Sequence, residues 1–147
     1  MKPHHHHFHA NIRESEITAA IAAAESKTTG EIRVFVSRHK YPDPLPIAQK
    51  HFEKLGMTKT AHRNGVLIFI APKSKTFALL GDTAIHEKCG DAFWQSLRDE
   101  MIPHFKEGKY TEGVVHAISK AGVLLAEHFP VKPGEGKDEL PNEVVGD

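Results

Sequence analysis

Chemically active side chains are concentrated in the segment from Asp82 to Asp91. It holds these two aspartates together with His86 and Glu87, and it follows an apolar run of strand composition. Calcium and magnesium prefer several carboxylate and carbonyl oxygens, and ligands of α/β sheets usually bind beyond the ends of the strands. The segment therefore predicts a loop that binds a divalent cation, calcium or magnesium, with Asp82, Asp91 and His86 as candidate ligands.

Asp43 is the fourth candidate ligand, because its proline-rich segment is expected to lie near the same sheet edge. A different interpretation needs no metal: Asp43 and Asp91 each precede a helical pattern and have the residue type of a helix N-cap, Asp82 suits an ordinary turn, and His86 suits a solvated surface. The Asp-x-Asp-x-Asp-Gly order of an EF-hand is missing. A site would have to be assembled from separate segments of the chain.

Nucleophilic catalysis finds little support in the sequence. Cys89 lies near His86, but a cysteine-dependent phosphatase needs an arginine six positions after the cysteine, and residue 95 is Gln95. A His-Glu-x-x-His zinc motif beginning at His86 fails because its last position is Gly90. The sequence contains no recognisable pair of nucleophile and base. It therefore does not decide whether the protein is an enzyme.

The elements that must position these residues alternate between strands and helices. An uninterrupted apolar run over 65–71 indicates a strand covered on both faces. Segment 31–37 is rich in β-branched residues and predicts a second strand, and 76–80 predicts a hairpin partner beyond the turn at 72–75. Amphipathic patterns before, between and after these strands predict helices on both faces of the sheet. The predicted fold is a three-layer α/β/α sandwich with a small mixed sheet.

Length and charge narrow the classes of function. A chain of 147 residues suits one domain. Its 19 basic and 19 acidic residues argue against nucleic acid as the main partner and leave an unknown protein partner as the alternative. A single cysteine fits a reducing cytoplasm, and no apolar run reaches the ~20 residues that span a membrane. We expect a His-rich tail or tag over 1–10, the domain over 11–130 and a C-terminal extension over 131–147.

Several short motifs resemble, in order, those of the TPM domain in its stand-alone bacterial form. They are Thr28-Thr29-Gly30-Glu31-Ile32-Arg33-Val34, Arg63-Asn64-Gly65-Val66-Leu67-Ile68, Gly81-Asp82, Asp91-Ala92-Phe93-Trp94, Phe105-Lys106-Glu107-Gly108-Lys109-Tyr110, Glu112-Gly113-Val114 and Glu139-Leu140-Pro141-Asn142-Glu143-Val144. The resemblance runs from about Ile12 to the end of the chain and implies a compact α/β/α module.

The resemblance also implies two kinds of function. The family includes a thylakoid lumen protein, a photosystem II repair protein and a modulator of acetylcholine receptor levels; some plant members are described as acid phosphatases, and divalent-metal binding near the loops recurs. Many members carry an acidic residue before Asn-Gly-Val-Leu, where this chain has Arg63. We expect a divalent-cation-binding regulatory or interaction module. The alternatives are a metal-assisted phosphatase acting on phosphomonoesters and a metal-independent, structural partner-binding domain.

Overall fold

The computed structural model describes residues 12–131 and 142–147. The strands are β1 (Glu31–Val36), β2 (Gly65–Ala71), β3 (Thr76–Gly81) and β4 (Val145–Gly146). The α-helices are α1 (Glu14–Glu25), α2 (Leu45–Lys54), α3 (Thr83–Cys89), α4 (Ala92–Lys106) and α5 (Tyr110–His128). Within these residues no helix combines the length and the apolar composition needed to cross a membrane.

The four strands form one mixed sheet in the order β3-β2-β1-β4. Strand β1 runs parallel to β2 and to β4, whereas β3 runs antiparallel to β2. The predicted hairpin between β2 and β3 is confirmed. A single 3₁₀ turn, Pro72–Ser74, connects these strands, and Lys75 ends the turn with a φ of 56°. Strand β3 therefore ends beside the beginning of β2, where Gly81 pairs with Val66.

Both faces of the sheet are covered, which explains the uninterrupted apolar run of β2. Alternate residues such as Val34 and Ile68 belong to a core shared with α1, α3, α4 and α5. The intervening residues, such as Phe35 and Phe69, belong to a second core under α2. Because successive side chains of a strand point to opposite faces, every residue of β2 is buried. The predicted three-layer α/β/α sandwich is confirmed.

The last residues of the predicted extension over 131–147 take part in the sheet. Strand β4 pairs with the end of β1, and Val144 is fully buried. The Asp147 carboxylate accepts hydrogen bonds from Ser37 Oγ at 2.6 Å and from the Arg38 amide at 2.8 Å. Residues 142–147 are therefore anchored to the fold. The His-rich tail or tag predicted over 1–10 lies outside the described residues.

Helices α1 and α5 pack closely against each other on the face of the sheet opposite α2. A Cβ placed on Gly122 would lie 2.7 Å from Ala24 Cβ, well inside ordinary van der Waals contact. Small side chains on both helices also line a shallow groove of about 360 Å³ above this crossing. The small residues allow the two helix backbones to approach, so we interpret the groove as a consequence of helix packing.

Candidate functional site

The predicted cation-binding loop between Asp82 and Asp91 is mostly the short helix α3. Asp82 is its N-cap, with Oδ1 accepting a hydrogen bond from the Thr83 amide at 2.7 Å. This satisfies one of the amide donors that a helix leaves unpaired at its start. Gly90 ends the helix with a φ of 74°. The prediction of a loop was wrong because Thr83–Cys89 is helical and Asp82 caps it.

The same carboxylate forms an ion pair with Arg63. Arg63 Nε donates to Asp82 Oδ2 at 2.7 Å, and Nη2 donates to Oδ1 at 3.0 Å. The Asp82 side chain is 4% exposed, whereas that of Arg63 is 45% exposed. Hydrogen bonding and charge attraction from Asp82 raise the pKa of Arg63 above its ordinary value. The buried acid is thus matched by a cationic group that reaches it from the surface.

Backbone contacts hold Arg63 at this position. Its φ is 52°, in the left-handed region that residues other than glycine seldom adopt. Its carbonyl accepts a hydrogen bond from the Ala84 amide at 3.1 Å. The next residue, Asn64, is fully buried and donates from Nδ2 to Thr29 Oγ1 at 3.1 Å. The segment before β2 is therefore joined to the start of α3 by backbone and side chain together.

A cavity of about 370 Å³ opens beside Asp82, between α2 and the corner from β3 to α3. It brings together two of the predicted ligands, buried Asp82 and exposed His86. It also brings in residues that the sequence analysis missed. The full lining is Gln49, Phe52, Glu53, Thr58, Leu80, Gly81, Asp82 and His86. Gln49, Phe52 and Glu53 share one face of α2 by helical spacing, but their position over β3 follows only from the packing of the domain.

Asp43 and Asp91 do not join this cavity. Asp43 follows the carboxyl end of β1. Because β3 runs antiparallel to β1, Asp82, which follows β3, lies beyond the opposite ends of the strands. The predicted common edge for Asp43 and Asp82 is therefore wrong. Asp43 and Asp91 are both exposed. Pro44, not Asp43, is the N-cap of α2, so the N-cap interpretation is wrong for Asp43. Asp91 is the N-cap residue of α4, as that interpretation has it, although its side chain makes no capping hydrogen bond.

The donors around the cavity match a hard cation in type but not in arrangement. Carboxylate, amide and hydroxyl oxygens come from Asp82, Glu53, Gln49 and Thr58, and such oxygens suit calcium and magnesium. In residues 12–131 and 142–147, however, no three His, Cys, Asp or Glu side chains converge as ready-made metal ligands. Asp82 already accepts three hydrogen bonds, two of them from Arg63. A cation would reach it by taking the place of the guanidinium.

Cys89 lacks the properties of an activated nucleophile. Partial burial, followed by the charge of Glu127, raises the pKa of the thiol above its ordinary value. A raised pKa reduces the fraction of thiolate, which is the reactive form. This agrees with the absence of a phosphate-loop arginine in the sequence.

Comparison with known proteins identifies the family. The family model described as the TPM domain matches residues 9–123. The NMR structure of the BA42 protein from the psychrophilic bacterium Bizionia argentinensis is similar to this chain, with a TM-score of 0.85 and 37% sequence identity over 100% of both chains. A comparison with curated proteins gives no match. The motifs, the fold and both similarities lead to one conclusion: the chain belongs to the TPM domain family.

Proposed function

We propose that this chain is a TPM-type regulatory or interaction module that binds calcium or magnesium in the cavity beside Asp82. The proposal depends mainly on one observation: the buried Asp82 carboxylate already holds a cationic group, the Arg63 guanidinium. Glu53 and His86 line the same cavity, and Gln49 and Thr58 supply neutral oxygens. Asp82 and Glu53 are the anionic ligands in this proposal, and His86 lies at the rim.

Competition with Arg63 is central to the proposal. A divalent cation at Asp82 displaces the guanidinium, whose side chain is 45% exposed and can extend into water. Breaking the ion pair between Arg63 and Asp82 therefore offsets part of the favourable free energy of metal binding. The charge count and the rigidity of the ligands set the Kd for calcium, which reaches about 10⁻⁴ to 10⁻³ M in the weakest sites. We expect this site to fall within that range and to be sensitive to substitution of Arg63.

Calorimetric titration of the full chain with calcium and magnesium chloride tests the proposal. Asp82→Asn keeps an oxygen that can cap α3 but removes the charge, and it should abolish binding. Arg63→Gln removes the competitor, and it should strengthen binding and increase the rise in melting temperature that the metal produces. Asp43→Asn and Asp91→Asn are matched controls of the same chemical change, and both should bind like the original protein.

Two results would overturn this assignment. One is calcium binding that persists unchanged in Asp82→Asn. The other is an Arg63→Gln variant, shown to be folded by circular dichroism, that binds no better than the original protein. Loss of binding in Asp43→Asn or Asp91→Asn would move the site to those residues instead.

A metal-independent partner-binding domain is the second candidate. The observation in its favour is that Arg63 and the Thr83 amide satisfy Asp82 without any metal. This candidate predicts no change in melting temperature with calcium or magnesium for either the original protein or Arg63→Gln. The phosphatase alternative requires turnover of a phosphomonoester that metal stimulates and that Asp82→Ala abolishes. Equal turnover in the original protein and in Asp82→Ala would exclude the phosphatase alternative.

A further inference from the structure

Helices α4 and α5 present three potential metal ligands on one exposed face, away from the Asp82 cavity. The two helices are joined by a short turn at Gly108, whose φ is 74°. Glu100 and His104 are four residues apart on α4, so they share one face. His116 projects from α5 toward the same face. All three side chains come from helices rather than loops, so their backbones are fixed by the core beneath.

The packing of α4 on α5 sets the distances between these groups. Gly113 lies close to α4, because a Cβ placed there would lie 3.1 Å from His104 Cβ. His116 follows one helical turn later. Its Nε2 lies 2.5 Å from Glu100 Oε1, and its ring centroid lies 6.1 Å from that of His104. Both histidines are half-buried, and the Glu100 side chain is 40% exposed.

The side chains of Glu100, His104 and His116 favour a metal other than the calcium or magnesium proposed for the Asp82 cavity. Two imidazoles and one carboxylate are a known ligand set for zinc, with water at the fourth position. Imidazole also suits copper and nickel, whereas calcium and magnesium prefer oxygen. In the present conformation Glu100 and His116 bond to each other, so the three groups are not yet convergent.

We propose that Glu100, His104 and His116 bind zinc or a similar transition-metal ion that links α4 to α5. The metal replaces the direct contact between Glu100 and His116, and rotation of the partly exposed His104 ring supplies the third ligand. Lys120 also faces Glu100 and opposes cation binding by charge repulsion. Because the Glu100 side chain is 40% exposed, solvent and salt screen this repulsion. Ser96 Oγ, 3.3 Å from Glu100 Oε2, holds the second carboxylate oxygen.

Titration with zinc and cobalt tests this site. The test is made in the full chain with His4, His5, His6, His7 and His9 all replaced by serine, because those histidines would bind the same metals. We expect one zinc ion per chain by calorimetry and the visible absorption of tetrahedral cobalt. Each of His104→Ala, His116→Ala and Glu100→Gln should weaken binding by ~10-fold or more, which is ~1.4 kcal/mol or more of binding free energy.

Matched controls separate this site from the other histidines. His128→Ala alters another half-buried histidine of α5, and His86→Ala alters the cavity beside Asp82; both should leave zinc affinity unchanged. Excess calcium should not displace the zinc. The proposal is overturned if affinity is the same in His104→Ala and His116→Ala, if His86→Ala removes it, or if the serine-substituted protein binds no zinc. Circular dichroism of each variant establishes that it is folded.

Discussion

The contact between Gly122 and Ala24 provides a quantitative test of how α1 and α5 pack. Gly122→Ala would place its new Cβ 2.7 Å from Ala24 Cβ and 3.3 Å from Ala24 Cα, so the helices would have to separate. Overpacking of this kind costs about 1–3 kcal/mol, whereas replacing glycine by alanine inside a helix gains about 1 kcal/mol. We expect a net loss of up to about 2 kcal/mol in the free energy of unfolding.

A second substitution should relieve the overlap. Ala24→Gly removes the opposing methyl group and alone costs about 1 kcal/mol in helix propensity. In the double variant, the methyl group is moved from one helix to the other. Its free energy of unfolding should therefore lie within about 1 kcal/mol of the original protein. The coupling energy between the two sites should equal the overpacking cost of about 1–3 kcal/mol, which is within the range for residues in contact.

Urea denaturation measures each corner of this cycle. With a slope of about 2 kcal/mol per molar urea, in the middle of the usual range, Gly122→Ala should lower the midpoint by up to roughly 1 M. Ala23→Gly is the matched control, because it carries the same propensity cost one residue away on the exposed side of α1. If Gly122→Ala is stabilising, or if Ala23→Gly rescues it as well as Ala24→Gly does, the close-contact explanation is wrong.

Three further predictions concern the corner beside the cavity, a histidine and a tyrosine. Gly81→Ala places a Cβ 2.9 Å from Ile85 Cγ2 and should cost about 1–3 kcal/mol in urea denaturation while weakening calcium binding; a change below about 0.5 kcal/mol would contradict this. Burial lowers the pKa of His51, whose ring packs on aromatic side chains under α2, so stability should fall as the pH drops below the ordinary histidine pKa of 6.5. His51→Phe should reduce that loss in melting curves recorded between neutral and acidic pH, and an unchanged pH profile would refute the assignment. Tyr110 is 2% exposed, and its hydroxyl donates to the Pro72 carbonyl at 3.1 Å. Tyr110→Phe should therefore lower the free energy of unfolding by about 1 kcal/mol in urea denaturation, whereas a conservative substitution on the surface should change it by less than about 0.5 kcal/mol.

Local patterns were sufficient for the central strands. The apolar run at 65–71 has the same bounds as β2, because burial on both faces leaves no polar position to obscure its ends. The hairpin to β3 followed from the turn composition at 72–75. The short strand β4 was missed because two residues carry no periodicity and its pairing with β1 joins distant parts of the chain.

The candidate site was only partly predictable, because it also depends on contacts between distant parts of the chain. The residue types in α3 indicated a polar site, and Asp82 and His86 do line one cavity. The direction of each strand decided which acids could meet, and it separated Asp43 from Asp82. Glu53 was missed because an exposed glutamate on an amphipathic helix has no distinguishing local pattern. Its position beside Asp82 depends on how α2 packs over β3.

Arg63 links the family resemblance to the chemistry of this particular chain. The resemblance to the family leads us to expect an acidic residue at this position, and such a residue would repel Asp82 unless a cation lay between them. An arginine reverses the sign of that interaction and supplies the positive charge from within the chain. The exchange predicts that metal dependence can be tuned at a single position: Arg63→Glu should make the stability of this corner depend on a divalent cation. If Arg63→Glu melts at the same temperature with calcium and with chelator, Asp82 is a helix cap and not a cation ligand.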